Sequence, residues 1–271
     1  MSHAREFVAM ALFLSRTALA APAEVDERVT IPLVLGLGAG WLFSEALKPQ
    51  LARDHCSWCE PGAADAYISS KYGYLEDDED TRAKAARASR FTDALAFGAT
   101  PALMLGSTFL PDASVRARKN ADTWVVMEST LIAVALNQAT KLVVARERPF
   151  VHGRRAERKE QTAIPSDNNT SFYSGHATFT FALASSATTV AAMRGSSWTP
   201  WIGGTGALLA SATAWGRVVA GKHYATDVVV GGLMGIAVGV TVPLLLHGGG
   251  AEQGSGPMNA SAPVLGYSGA W

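Results

Sequence analysis

The stretch "SFYSGHATFTFALASSATTVAAM", residues 171–193, runs without a charge from Ala177 to Met193. Strands in globular proteins rarely pass about ten residues, and their side chains alternate between two faces. This run is too long and alternates too poorly for a strand, so it predicts a helix over 174–193. Gly, Ala, Ser and Thr dominate it, which lets neighbouring helices approach closely in membranes and in tight soluble bundles alike. Taken alone, His176 near its start reads as a core residue.

The same pattern recurs outward from this helix. Residues 29–44, 94–111, 195–216 and 228–246 also carry no Asp, Glu, Lys or Arg. Helices are expected at 30–48, 62–74, 80–110, 121–146, 174–193, 199–217 and 226–246, with Pro101 kinking or dividing the third. The polar stretch 151–171 has no apolar face and reads as a loop. No internal repeat is visible. The fold class is all-α, an antiparallel helical bundle. Four segments are expected: a signal peptide at 1–20, an N-terminal helical region with a charged insert and a Cys pair at 21–91, a core at 92–247, and a flexible Gly/Ser-rich tail at 248–271.

Charged residues make up 17% of the 271, and net formal charge is zero. Ordinary soluble domains carry roughly 25%. A neutral chain gives no reason to expect a nucleic-acid partner, and any basic site must be local. At the N-terminus, Arg5 precedes a short apolar run and Ala18-Leu19-Ala20 fits a small-x-small cleavage site, the pattern of a secretory signal peptide. The two cysteines, Cys56 and Cys59, are too few for a zinc site. In an exported chain their spacing suggests a small local disulfide; free thiols and thiol chemistry are the alternatives.

Three short segments bear chemistry: "KLVVARERP" with Lys141 and Arg148, "SGH" with Ser174, Gly175 and His176, and "GRVVAGKHYATD" with Arg217, His223 and Asp227. Singly they are helix-end charges and core histidines. Each, however, sits where a long apolar helix begins or ends. In an antiparallel bundle alternate loops share one end, so 147–173 and 217–226 meet. Three fixed cations can neutralise a phosphate dianion without a metal or other cofactor, Arg by paired donors and Lys as a point charge. Ser174 and the Gly175 N–H at a helix start favour the same anion. Asp227, four residues after His223, is placed to accept the Nδ1 proton and free Nε2 for attack. His176 is then the acid for the leaving oxygen, on a covalent route through phosphohistidine.

These segments resemble the three-part signature of the type 2 phosphatidic acid phosphatase (PAP2) superfamily, K-x6-R-P, then P-S-G-H, then S-R-x5-H-x3-D. Lys141, Arg148 and Pro149 complete the first part. Tyr173 replaces the Pro of the second, and Gly216 the Ser of the third. The resemblance spans about 95–247. It implies a helical phosphatase in which Lys141, Arg148, Ser174, Gly175 and Arg217 bind phosphate. His223 would be the nucleophile, Asp227 its orienting partner and His176 the general acid. It places Tyr173 as the first position to examine for altered substrate choice.

The uncharged 228–246 stretch points to a bundle partly or wholly in a membrane, with its site on the extracytoplasmic side of a bacterial-type envelope. The bilayer and a phosphorylated lipid are then the partners, as phosphate or pyrophosphate ester. Two observations oppose this. Lys and Arg are more numerous in the supposed outer loops than in the inner turns, against the positive-inside rule. Glu128, Asn137 and Gln138 would need partners in lipid. The alternative is a soluble periplasmic acid phosphatase of broad specificity acting on small phosphoesters. A vanadate-dependent haloperoxidase and a non-catalytic phospholipid binder are remoter readings.

Overall fold

The computed structural model describes residues 25–74, 79–110, 119–152 and 162–248. The expected signal peptide and the tail beyond Gly248 lie outside them. The helices are α1 Glu27–Ala46, α2 Lys48–Leu51, α3 Ala63–Tyr72, α4 Glu79–Ala94, α5 Thr100–Ser107, α6 Lys119–Val144, α7 Gly175–Met193, α8 Thr199–Val219 and α9 Ala225–His247. No strand occurs among the described residues, and the fold is all-α as its apolar runs predict.

Helix α7 is the centre of the bundle, packed against α9, α8 and α6; α1 lies on α6, and α4 on α8. Its small residues explain the position. Ala177, Ala182 and Leu183 are buried, and so are Thr178, Thr180 and Ser186. Several hydroxyls turn back on their own helix: Thr178 donates to the Ser174 carbonyl at 2.8 Å, Thr180 to His176 at 2.9 Å and Thr189 to Ser185 at 2.8 Å. A side chain satisfied this way needs no partner on another helix. The helix can therefore be enclosed on all sides while still carrying polar residues.

The α7–α9 contact is close enough to bring backbone against backbone. A Cβ at Gly235 would stand 2.5 Å from the Thr178 carbonyl oxygen and 3.0 Å from the Ala182 nitrogen. Hydrogen is all that fits there.

The expected helix at 80–110 is divided. Helix α4 passes into a π-helical turn, Leu95–Ala99, where the Thr100 N–H reaches back to the Leu95 carbonyl. Helix α5 then starts with Pro101 in its first turn. Proline has no N–H for the carbonyl four residues back, and the wider turn absorbs that mismatch. A boundary at 91/92, expected from composition, falls inside α4 rather than at a linker. Helix α4 belongs to the bundle, because it packs on α8.

Gly204 of α8, by contrast, has nothing within 4 Å of a built Cβ. Gly235→Ala is expected to destabilise the fold by about 1–3 kcal/mol through overpacking. Gly204→Ala is expected to stabilise it by up to ~1 kcal/mol through helix propensity. Thermal unfolding of the two purified variants side by side checks the pair.

Candidate active site

Helix α6 ends at Val144, and Ala145 takes a left-handed conformation with φ 46°. That turn sends the chain away from the helix axis and carries Arg146, Glu147 and Arg148 inward, all three buried. A loop closed by a disulfide between Cys56 and Cys59 lies against it. The Ser57 N–H donates to the Ala145 carbonyl at 3.0 Å, and the Glu147 N–H to the Trp58 carbonyl at 3.0 Å.

Arg146 was not singled out by any motif, yet it is 1% exposed. Its Nη1 donates to Asp227 Oδ1 at 2.6 Å and its Nη2 to Asp65 Oδ2 at 2.7 Å. The guanidinium carbon sits 3.8 Å from the Trp58 ring centroid and 4.4 Å from that of Tyr224. Asp65 also accepts from the Thr226 backbone and hydroxyl, at 3.0 Å and 2.6 Å. The first turn of α9 is thereby tied to α3.

Lys141 from α6, Arg148 from the following loop and Arg217 from the last turn of α8 line one cavity of about 460 Å³, together with Gly175, His176 and His223. A Cβ on Gly175 would meet Asn137 Oδ1 at 2.9 Å and Lys141 Nζ at 3.0 Å, so glycine seats both side chains. Arg148 reaches Thr170 Oγ1 at 3.3 Å and Asp167 Oδ2 at 3.9 Å. Asp167 is held well below the usual carboxylate range. Burial works against this and is outweighed by the cations Arg148, Lys48 and Lys141. The Nε donors of Arg148 and Arg217 are buried and have no hydrogen-bond partner among the described residues. Buried cations that repel one another and keep donors in hand suit an anion with several oxygens.

Two differences from expectation concern the residues around the histidines. His223 Nδ1 lies 2.8 Å from the Ser171 carbonyl oxygen and 3.7 Å from Asp227 Oδ2. The backbone carbonyl, not the carboxylate, is the near partner. Since a carbonyl only accepts, Nδ1 carries the hydrogen and Nε2 the lone pair. Burial, then the positive charges of Arg148, Arg217 and Lys141, push the His223 pKa well below 6.5, so the ring is neutral. Asp227 acts one step back. It accepts from Ser171 Oγ at 2.5 Å and the Tyr224 N–H at 2.9 Å, as well as from Arg146.

Ser174 is fully buried and caps α7, accepting from the Ala177 N–H at 3.5 Å and giving its own N–H to the Asp227 carbonyl at 3.0 Å. It supports the cavity wall, which Gly175 itself lines. His176 Nε2 is 2.7 Å from Asp93 Oδ1, a residue that no sequence signal picked out.

The two motif departures have different surroundings. Tyr173 is 4% exposed and does not line the cavity; its carbonyl accepts from Asn137 Nδ2 at 2.7 Å. Asn137 does line the cavity, but a proline at 173 would present the same carbonyl, so this contact does not explain the tyrosine. A Cβ at Gly216 would collide with Thr92 of α4. Two hydroxyls from that helix, Ser89 and Thr92, accept from Arg217 Nη1 at 3.1 and 3.3 Å.

The cavity has a second, apolar end formed by Trp41 and Leu42 of α1, Phe97 of the π turn, Val134 of α6 and Phe179 of α7. A second cavity, of about 550 Å³ and more polar in its side chains, is lined in part by Ser89, Asp93, Phe150 and Lys222. Arg148, Asp167, His176 and Arg217 belong to both.

A family model described as the PAP2 superfamily matches residues 122–248. This part of the chain belongs to the PAP2 superfamily. No curated protein and no solved structure matches the chain. PAP2 membership supports phosphatase-type activity in general terms. The matched segment contains α6 from residue 122 onward, α7 to α9 and every residue of the three motifs. Trp41, Lys48, Asp65, Asp93 and Phe97 come from outside it, so the preceding helices complete the PAP2 site.

Arg146→Ala leaves Asp65 and Asp227 buried without their shared cation. Stability is expected to fall by about 3–5 kcal/mol, the usual result of breaking a buried ion pair from one side. Arg146→Lys keeps the charge but loses the two-sided geometry and the ring stacking, so it should recover only part of the loss. Denaturation midpoints of the two variants test the ranking.

Proposed function

We propose that the protein is a metal-independent phosphatase that hydrolyses the phosphate or pyrophosphate ester of a lipid through a phosphohistidine. The observation that carries this reading is the two-ended cavity. Its cationic end fits a phosphate, and its aromatic end, where the Phe97 and Phe179 ring centroids lie 5.5 Å apart, fits a hydrocarbon chain.

In the first step His223 Nε2 forms a bond to phosphorus, the P–O bond to the leaving group breaks, and His176 gives a proton to that oxygen. In the second, water attacks phosphorus, the P–N bond breaks, and His176 takes the proton from the water. Lys141, Arg148 and Arg217 offset charge on the phosphoryl oxygens throughout. The Ser171 carbonyl keeps His223 in the tautomer that attacks.

The membrane reading is favoured over the soluble one by what covers the bundle. Helices α1 and α9 are long and apolar enough to span a bilayer. Leu35, Leu42 and Phe43 of α1, Trp201 and Leu208 of α8, and Leu233 and Leu245 of α9 are all exposed. Large apolar patches on a surface mark a protein or membrane contact. The polar residues that opposed this reading have internal partners: Glu128 pairs with His247 at 2.8 Å, Asn137 with Tyr173, and Gln138 with Ser44 at 3.0 Å. Export by a leader at 1–20 would set the site on the extracytoplasmic side only if α1 lay along the bundle without crossing the bilayer.

Phosphate release from a panel of lipid and soluble phosphoesters tests the reading. Wild type should prefer the lipids, survive EDTA and be inhibited by vanadate. His223→Ala should release no phosphate while unfolding at the wild-type temperature. Turnover by that variant, or loss of wild-type activity on chelation, would sink the mechanism. Preference for small soluble esters would favour a broad acid phosphatase.

A further inference from the structure

Resting on that phosphatase reading, we propose that Asp93 is a positioning residue for the general acid. Its carboxylate holds His176 by Nε2 and stabilises the imidazolium, leaving Nδ1 to pass the proton to the leaving oxygen.

A general acid must hold the proton that it gives. His176 must hold a second proton while standing beside Arg217, Lys141 and Arg148, on the wall of the same cavity. Neighbouring cations and burial both disfavour an imidazolium. One carboxylate counters them: Asp93 Oδ1, 2.7 Å from His176 Nε2. Among the described residues, Nδ1 of His176 has no hydrogen-bond partner. Nε2–H therefore stays on Asp93 through the cycle. Nδ1 gives its proton to the leaving oxygen in the first step and accepts one from water in the second.

Asp93 is placed for this by α4. It stands at the end of that helix, next to the π turn whose Phe97 ring lies 4.9 Å from the His176 ring, edge to face. Thr92 beside it and Ser89 one turn earlier hold Arg217. Asp93 Oδ1 is itself 3.3 Å from Arg217 Nη1, a longer contact than the one to His176. Its side chain is half-exposed and lines the polar cavity but not the apolar one. The carboxylate thus stands in the more polar cavity and is not among the aromatic lining proposed to take the lipid chain. All of this comes from a helix outside the PAP2 match.

Leaving-group dependence separates the role from simple support. An alkoxide leaving group needs a proton in the transition state, whereas 4-nitrophenolate leaves without one. The full-length enzyme in detergent is assayed with dodecyl phosphate and 4-nitrophenyl phosphate, comparing wild type, Asp93→Asn, Asp93→Glu and His176→Ala. Asp93→Asn should lower kcat/KM on dodecyl phosphate, which reports the first step alone, by about 10²-fold, in the range of a lost general acid. It should lower kcat/KM on 4-nitrophenyl phosphate by less than about threefold. Asp93→Glu should restore much of the dodecyl phosphate rate. Adding Asp93→Asn to His176→Ala should cost nothing more.

An equal fall in kcat/KM on both substrates would overturn the proposal and leave Asp93 as a prop for Arg217. Undiminished activity of Asp93→Asn would overturn it too. If wild type releases phosphate from neither ester, or His223→Ala matches wild type, the phosphatase reading itself fails and this proposal falls with it.

Discussion

The guanidinium of Arg146 is the hinge-pin of the site. It is shared by Asp65 of α3 and Asp227 of α9, two carboxylates almost completely shielded from water. Burying such a cation is costly, and two carboxylates and two ring faces offset that cost. The rings belong to Trp58, on the disulfide loop, and Tyr224, at the start of α9. The Arg146 carbonyl also accepts from the Ser171 N–H at 3.0 Å. Ser171 in turn donates its hydroxyl to Asp227 and offers its carbonyl to His223. From Arg146 to the His223 imidazole there are two hydrogen bonds. Residues 56–65, far from the reactive motifs in sequence, reach the chemistry along that short path.

The helices were legible because their cause is local. Uncharged runs longer than any strand, broken by polar residues, place α7, α8 and α9 within two residues of where they lie, and α6, with Glu128 inside it, lies within two residues of the helix expected at 121–146. The cations and histidines of the cavity were legible for a related reason. Each stands at the end of such a helix, and antiparallel packing gathers those ends. The pairing of His223 with Asp227 was only half legible. Four residues apart, they share a face only inside a helix, and α9 begins at Ala225. His223 therefore lies on the preceding turn, and its Nδ1 meets a backbone carbonyl first. Arg146, Asp65 and Asp93 were not legible at all. They are charges among other charges, and only the tertiary fold tells a buried ion pair from a solvated one.

Small and large apolar side chains are unevenly shared between the centre of the bundle and its surface. Small residues and self-satisfied hydroxyls fill the centre around α7, and large apolar side chains of α1, α8 and α9 point outward. Close contact at Gly235 then replaces bulky interdigitation as the source of fit between α7 and α9. Lipid chains are as apolar as leucine, so helices in a bilayer gain more from such close van der Waals contact than from hiding large side chains. The proposed membrane setting and the observed core composition thus have one physical origin.

The two cavities that meet at Arg148, His176 and Arg217 give the site unlike neighbours on its two sides. On the proposed reading, the phosphoryl group is a partition between an oily compartment and a wet one. Cleavage divides the substrate along that partition. On that reading the released alcohol would lie beside Trp41, Phe97 and Phe179, and the phosphate beside the cations that the two cavities share. Each product would then leave through the lining that suits it, so that the reaction would also be a sorting step.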